Sequence, residues 1–283
     1  MNVNISLPSL ILLTSLLGVM HACAPGSNPA SASFAYGTQS DSARYYYLNG
    51  FHEILNNGRW TESEKSYRKA LEFDPEYTLG KSLVGRITRN LSEREQLQQE
   101  VLAERNNISH DEGLLLDVYL LSIEAYNNRD KGIPASAEFN AHRSQLSEAN
   151  FSAFVRKYPE DDYVKAEYIE WLHHNYGPAV ALDSLRSLAN ERQMNLGFYL
   201  SYAASLELEL GNVANAITLC EQLKPLMIDS TYTSYLKLKA EIYMAQDSLQ
   251  QAKEYIDQVV RIDPNHLIAL GMQAQINEEL KDK

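Results

Sequence analysis

Cysteine is nearly absent from this sequence: its 283 residues hold two, Cys23 and Cys220, so no disulfide framework can organise the chain. Glycine (13) and proline (9) are sparse, which argues against a succession of hairpins and for long helices joined by short turns. No run of Lys or Arg occurs, and the net charge is −12. A surface of that sign repels phosphate and excludes nucleic acid as a natural partner. What is present is 45% apolar residues and 18 tyrosines, enough to pack an interior and to exclude global disorder.

Residues Leu7 to Met20, LPSLILLTSLLGVM, form an uncharged apolar stretch. As a helix it spans about 21 Å, short of the roughly 30 Å bilayer core, and fits a secretory h-region better than a membrane span. Cys23 follows in the string GVMHAC-APGSNP. This segment resembles a bacterial lipobox, which implies that residues 1–22 are a lipoprotein signal peptide and that Cys23 is cleaved free and acylated. An ordinary signal peptide cut near His21 or Ala22 is the alternative. The Ser-, Ala-, Gly- and Pro-rich stretch 23–42 reads as a flexible tether. No acidic run follows Cys23, which favours the periplasmic face of the outer membrane.

From Tyr45 onward the pattern is helical and recurs. In YYYLNGFHEILNNGRWTESEKSYRKALEFDPEY, Asn57-Gly58 makes a turn, and Trp60, Tyr67, Ala70 and Leu71 share one helix face. Gly50 lets a neighbouring helix approach, Thr61 and Glu64 have the spacing of a capping box, and Pro75 ends the unit. A similar signature returns near the C-terminus with Ala240, Tyr243, Leu249, Ala252 and Pro264, and between them with Ala204, Gly211, Ala216 and Cys220.

These residues resemble the tetratricopeptide repeat, a 34-residue helix–turn–helix. In the first unit Gly50 sits one place before that family's small residue, whose position is taken by Phe51. The middle of the chain is more degenerate: capping-box spacings at Ser92/Glu95 and Ser109/Glu112, a break at Gly132–Pro134, a helix start at Asp161, and a turn at Gly177-Pro178. The expectation for residues 43–283 is an all-α solenoid, by resemblance a right-handed superhelix of about six hairpins with a C-terminal capping helix.

The resemblance implies protein scaffolding rather than catalysis, with an extended peptide or helix held in the concave groove. Carrying the groove positions over gives Tyr45, Leu48, His52 and Leu55 in the first unit. It gives Phe198, Ser201, Ser205 and Leu208 in the fifth, and Lys237, Glu241 and Met244 in the sixth. A clamp for a C-terminal carboxylate is disfavoured, because Glu241 stands one turn after Lys237. The expected partner is a protein of the cell envelope, with the membrane reached through Cys23; no cofactor, metal or nucleotide is implied. A glycan- or nutrient-binding envelope lipoprotein is the alternative.

Other motifs have bland explanations. LGKS at Leu79–Ser82 lacks the glycine and the strand that a phosphate-binding loop needs. His173 and His174 point about 100° apart on a helix, poorly placed to share a metal. Ser66-x-x-Lys69 and Ser234-x-x-Lys237 lack the companion motifs of S-x-x-K enzymes. Cys220 reads as a small core residue.

Overall fold

The protein, in a computed structural model, is described over residues 33–281; the expected signal peptide and Cys23 lie outside them. The described chain is all-α. Six antiparallel pairs follow one another. They are α1 (Asp41–Phe51) with α2 (Trp60–Phe73), α3 (Thr78–Ile87) with α4 (Leu91–Glu104), and α5 (His110–Asp130) with α6 (Ala137–Lys157). Then come α7 (Asp162–Tyr176) with α8 (Pro178–Leu188), α9 (Gly197–Glu209) with α10 (Val213–Leu223), and α11 (Ser234–Ala245) with α12 (Leu249–Ile262). A last helix, α13 (Leu267–Glu279), covers the end of the stack. Each pair packs on the next, as the repeat pattern requires.

Local chemistry sets the boundaries. The capping box at Ser109 and Glu112 forms and starts α5. Asp161 accepts from the amides of Tyr163 and Val164 and starts α7. Gly177, at φ 82°, ends α7 in a conformation that glycine adopts without steric cost, and Pro178 opens α8. Two expected boxes do not form. Helix α2 begins at Trp60, which puts the Thr61 hydroxyl inside the first turn rather than at the cap, and Glu64 binds Arg68 instead. Likewise Ser92 falls inside α4, whose cap is Asn90.

The core runs along the stack as four apolar clusters, each built mainly from neighbouring helices. Tyr47, Tyr67 and Ala70 close the first pair. A Cβ on Gly50 would lie 2.2 Å from the Tyr67 ring, so the close approach expected at that glycine is real. Cys220 is buried in the third cluster.

Residues 34–42, expected to belong to a flexible tether, are instead packed against the body. Phe34 meets Phe154 edge-on at 4.9 Å, and the Tyr36 hydroxyl donates to Asp161. Thr38 donates to Asp74 at 2.6 Å, and Ser40 caps α1, so the helical body starts at Asp41. The small-residue composition obscured two aromatic side chains that fill the open end of the first core cluster.

The departure that matters most for function is that the first pair also meets the last ones. Between α1 and α2 the chain makes one π-helical turn, His52–Asn56. Such a turn takes five residues between bonded groups where an α-turn takes four. That extra residue accounts for Gly50 standing one place early in the repeat register. It also turns Asn56 and Asn57 toward the far end of the chain. The Asn56 side chain accepts from the Phe198 amide at 2.9 Å, and its carbonyl accepts from the Ser234 hydroxyl at 2.9 Å. The Asn57 carbonyl accepts from the Thr233 amide at 2.8 Å. Thr61 binds Asp263, and the Trp60 and His266 rings lie 5.7 Å apart. The solenoid thus closes on itself.

A closed concave chamber as candidate functional site

Closure leaves a chamber of about 440 Å³ inside the curve of the helices. A smaller hollow of about 230 Å³ shares Arg86, Tyr126, Glu167 and Glu170 with it. The larger volume falls in the range of small-molecule pockets. Its walls come from almost every first helix. They include Phe51 and Leu55 from the first unit, Leu83 and Arg86 from α3, and Tyr126 from α5. Glu167 and Glu170 come from α7, Phe198 to Glu209 from α9, Lys237 and Glu241 from α11, and His266 and Ile268 from the end of the stack.

Most charges facing this space are paired. Arg86 binds Glu167 at 2.5 Å, and Glu167 also accepts from the Tyr119 hydroxyl at 2.9 Å. Lys237 binds Glu241 at 2.5 Å, and Ser205 donates to Glu241 at 2.7 Å. His173 lies 2.8 Å from the Tyr202 hydroxyl and 3.0 Å from Glu209. A neutral ring protonated on Nε2 satisfies both contacts, accepting from Tyr202 and donating to Glu209. Burial, with the charges of Glu170 and Glu209, pushes the Tyr202 pKa up, so its hydroxyl stays protonated.

Glu170 is different. No side chain among the described residues forms a hydrogen bond or ion pair with it. Its side chain is exposed to the chamber, between the helices that wall it. The surrounding helices, reinforced by Glu167, push its pKa up to about 7 against the opposing pull of Arg86 and Lys237.

Of the groove residues expected from the sequence, Leu55, Phe198, Ser201, Ser205, Lys237 and Glu241 line the chamber. The others lie elsewhere. Tyr45 is 62% exposed beside Tyr46. Leu48, Leu208 and Met244 pack against the core clusters, and the exposed His52 contacts Asn56. The physical reason in the first unit is the π-turn: one extra residue rotates everything before it by about 100° relative to the turn. Tyr45 and Leu48, which precede the π-turn, therefore miss the concave face, while Leu55, within it, does not.

Sequence reasoning did not single out Arg86, Tyr126, Glu167, Glu170, Tyr202 or His266. One signal was present, since residues three apart on α7 share a face and Glu167 and Glu170 have that spacing.

The discarded motifs find ordinary roles. Gly80 of LGKS lies within α3 against Tyr77 and Leu71. Ser66 accepts from Asn49, and Ser234 donates to the Asn56 carbonyl. Among the described residues no cluster of His, Cys, Asp and Glu has metal-binding geometry, and no helix is long and apolar enough to cross a membrane.

Residues 235–266 match the tetratricopeptide repeat model. The match covers α11 and α12 and ends at the cap of α13. Among solved structures the chain is similar to the TPR domain of P58(IPK), at 12% identity and a TM-score of 0.30, over 87% of this chain and 82% of that one. No curated protein matches the sequence. The chain therefore carries a tetratricopeptide repeat within a stack of antiparallel helical pairs, an architecture that usually serves protein–protein contact and is usually non-catalytic.

Proposed function

We propose that this protein is a non-catalytic adaptor of the bacterial cell envelope, which receives part of a partner protein at the mouth of its concave chamber. The observation that carries the reading is the chamber itself, where side chains from successive first helices converge on one open space. Ser201, Ser205, Lys237 and Glu241 supply polar contacts there, and Phe198 and Leu55 supply apolar ones. Closure narrows what can enter. A chamber of this size takes a few side chains or a chain end rather than a long extended peptide.

The lipobox resemblance at Cys23 supports an anchor in the outer membrane, and the lack of an acidic run after it supports the periplasmic face. Labelling with an acyl-chain analogue tests the anchor: label lost in Cys23→Ala supports it, and unchanged label removes it. Cross-linking in cells, followed by capture of the tagged full chain, tests the adaptor. Recovery of one or two envelope proteins, lost when Lys237 and Ser205 are replaced, supports the reading. Recovery of the bait alone contradicts it.

A further inference from the structure

We propose that the chamber binds an organic cation, a guanidinium or primary ammonium group, with Glu170 as its counter-ion. The argument begins with the unmatched charge. Arg86 is engaged by Glu167 and Lys237 by Glu241, and Glu209 has a hydrogen bond from His173. Arg143 stands over the Trp171 ring at 5.4 Å on the wall of the smaller hollow, and forms no ion pair with Glu170. Glu170 thus faces both cavities with no cation of its own.

The alternatives to a cation fit poorly. An anion entering the chamber meets Glu170, Glu209 and Glu241. A neutral ligand leaves the Glu170 carboxylate without a counter-charge. A cation meets the carboxylate together with Trp60, Tyr67, Tyr126 and Tyr202, which line the same space. Aromatic faces attract such ions, guanidinium groups above all.

Glu170 also couples the ligand to protons. With a pKa of about 7 it is half-protonated near neutrality, and a bound cation holds it ionised. Binding therefore releases a proton and tightens as pH rises through 7. The groups that set this titration are Glu167 on the same helix, Arg86 on α3 and Lys237 on α11. Tyr126, Arg143, His174, Tyr202 and Glu209 also line the two cavities from α5, α6, α7 and α9, as do Glu241 on α11 and His266 before α13.

The cation could arrive as a free molecule or on an arginine or lysine side chain of a partner. In the second case the inference rests on the adaptor reading; in the first it does not. Calorimetric titration of the full chain in neutral detergent separates them, using agmatine as one probe and the blocked tripeptide Ala-Arg-Ala as the other. The same tripeptide with citrulline for arginine is the uncharged control.

Binding of either cationic probe is expected, and not of the citrulline control. It should weaken at least tenfold in Glu170→Gln, and for the parent protein rise by up to about tenfold per pH unit below 7. Agmatine binding alone identifies a free ligand, and tripeptide binding identifies a side chain. A thermal melt of Glu170→Gln, expected to match or exceed the parent at pH 8, shows that the variant is folded.

No binding of either probe at millimolar concentration and pH 8 overturns the proposal. Binding that is equal for citrulline, or unchanged by Glu170→Gln, does so too. Partner capture that survives Glu170→Gln while no cation binds leaves the adaptor standing and removes only this inference.

Discussion

Thr61 and Asp263, 202 residues apart in the chain, are joined by two hydrogen bonds: the Thr61 hydroxyl donates to Oδ1 at 2.6 Å and its amide to Oδ2 at 3.0 Å. Asp263 thereby does for α2 what a local N-cap does for other helices, satisfying one of the free amides of the first turn. It comes from the end of α12, so a cap at the start of the stack depends on the far end. Replacing Asp263 with Ala is expected to cost about 1–2 kcal/mol. A double-mutant cycle with Thr61→Val should show a coupling of about 1 kcal/mol between the two sites. Denaturant midpoints measure both, and additive effects would mean that the bond contributes nothing to closure.

Gly197 offers a second probe of closure. A Cβ at this position would lie 2.5 Å from the Asn56 carbonyl oxygen, which is backbone and cannot swing aside. Gly197→Ala is expected to destabilise by about 1–3 kcal/mol. It should also speed hydrogen exchange at the Phe198 amide, which donates to the Asn56 side chain. Exchange unchanged at that amide would show that α9 and the first pair do not depend on this contact.

His266 makes closure sensitive to acid. Its Nδ1 accepts from the Ala269 amide and caps α13, so the ring must be neutral with its proton on Nε2. Burial, with help from Lys237, lowers its pKa to about 4. A depressed value means that the folded state favours the neutral ring. The stabilisation is therefore full above about 6.5 and is lost as pH falls through about 4, by at most ~3 kcal/mol. His266→Asn keeps an oxygen acceptor at the cap and cannot be protonated. Compared with the parent at each pH, it should lose less stability between pH 7 and 4. Parallel curves would contradict the assignment. Glu170 acts in the opposite sense, since its raised pKa means stability lost as pH rises through about 7.

Cys220 is 1% exposed, and burial pushes its thiol up to about 11. Because the thiolate is the reactive form, iodoacetamide at pH 8 is expected to leave native protein unlabelled at this position and to label it fully in denaturant. Rapid native labelling would indicate that the third core cluster opens.

The repeat architecture was legible because its signals are local. The Asn57-Gly58 turn, the buried Tyr67 and Ala70, the box at Ser109 and the Gly177-Pro178 corner each act over a few residues. Closure was not legible, since Asn56 with Phe198 and Thr61 with Asp263 are contacts between positions that no spacing rule relates. Thr61 even carried a misleading local signal, because its partner lies across the ring and not at Glu64. The single clue to the π-turn was Gly50 standing one place early. That offset was visible in the sequence, but its consequence, the rotation of Tyr45 and Leu48 off the concave face, required the structure. Most of the wall was missed, and Arg86, Tyr126 and Glu170 for a further reason: they come from the degenerate middle repeats, where no register could be carried over.

The most direct test of the chamber as the site of partner contact is photo-cross-linking in cells from two positions. A benzophenone side chain at Ile268, which is half exposed and lines the chamber, probes its mouth; one at Ile217, exposed on α10 and outside the chamber, is the comparison. The expected result is adducts with one or two envelope proteins from position 268 and none from 217. Adducts from 217 alone, or none from 268, would place recognition elsewhere and contradict the assignment.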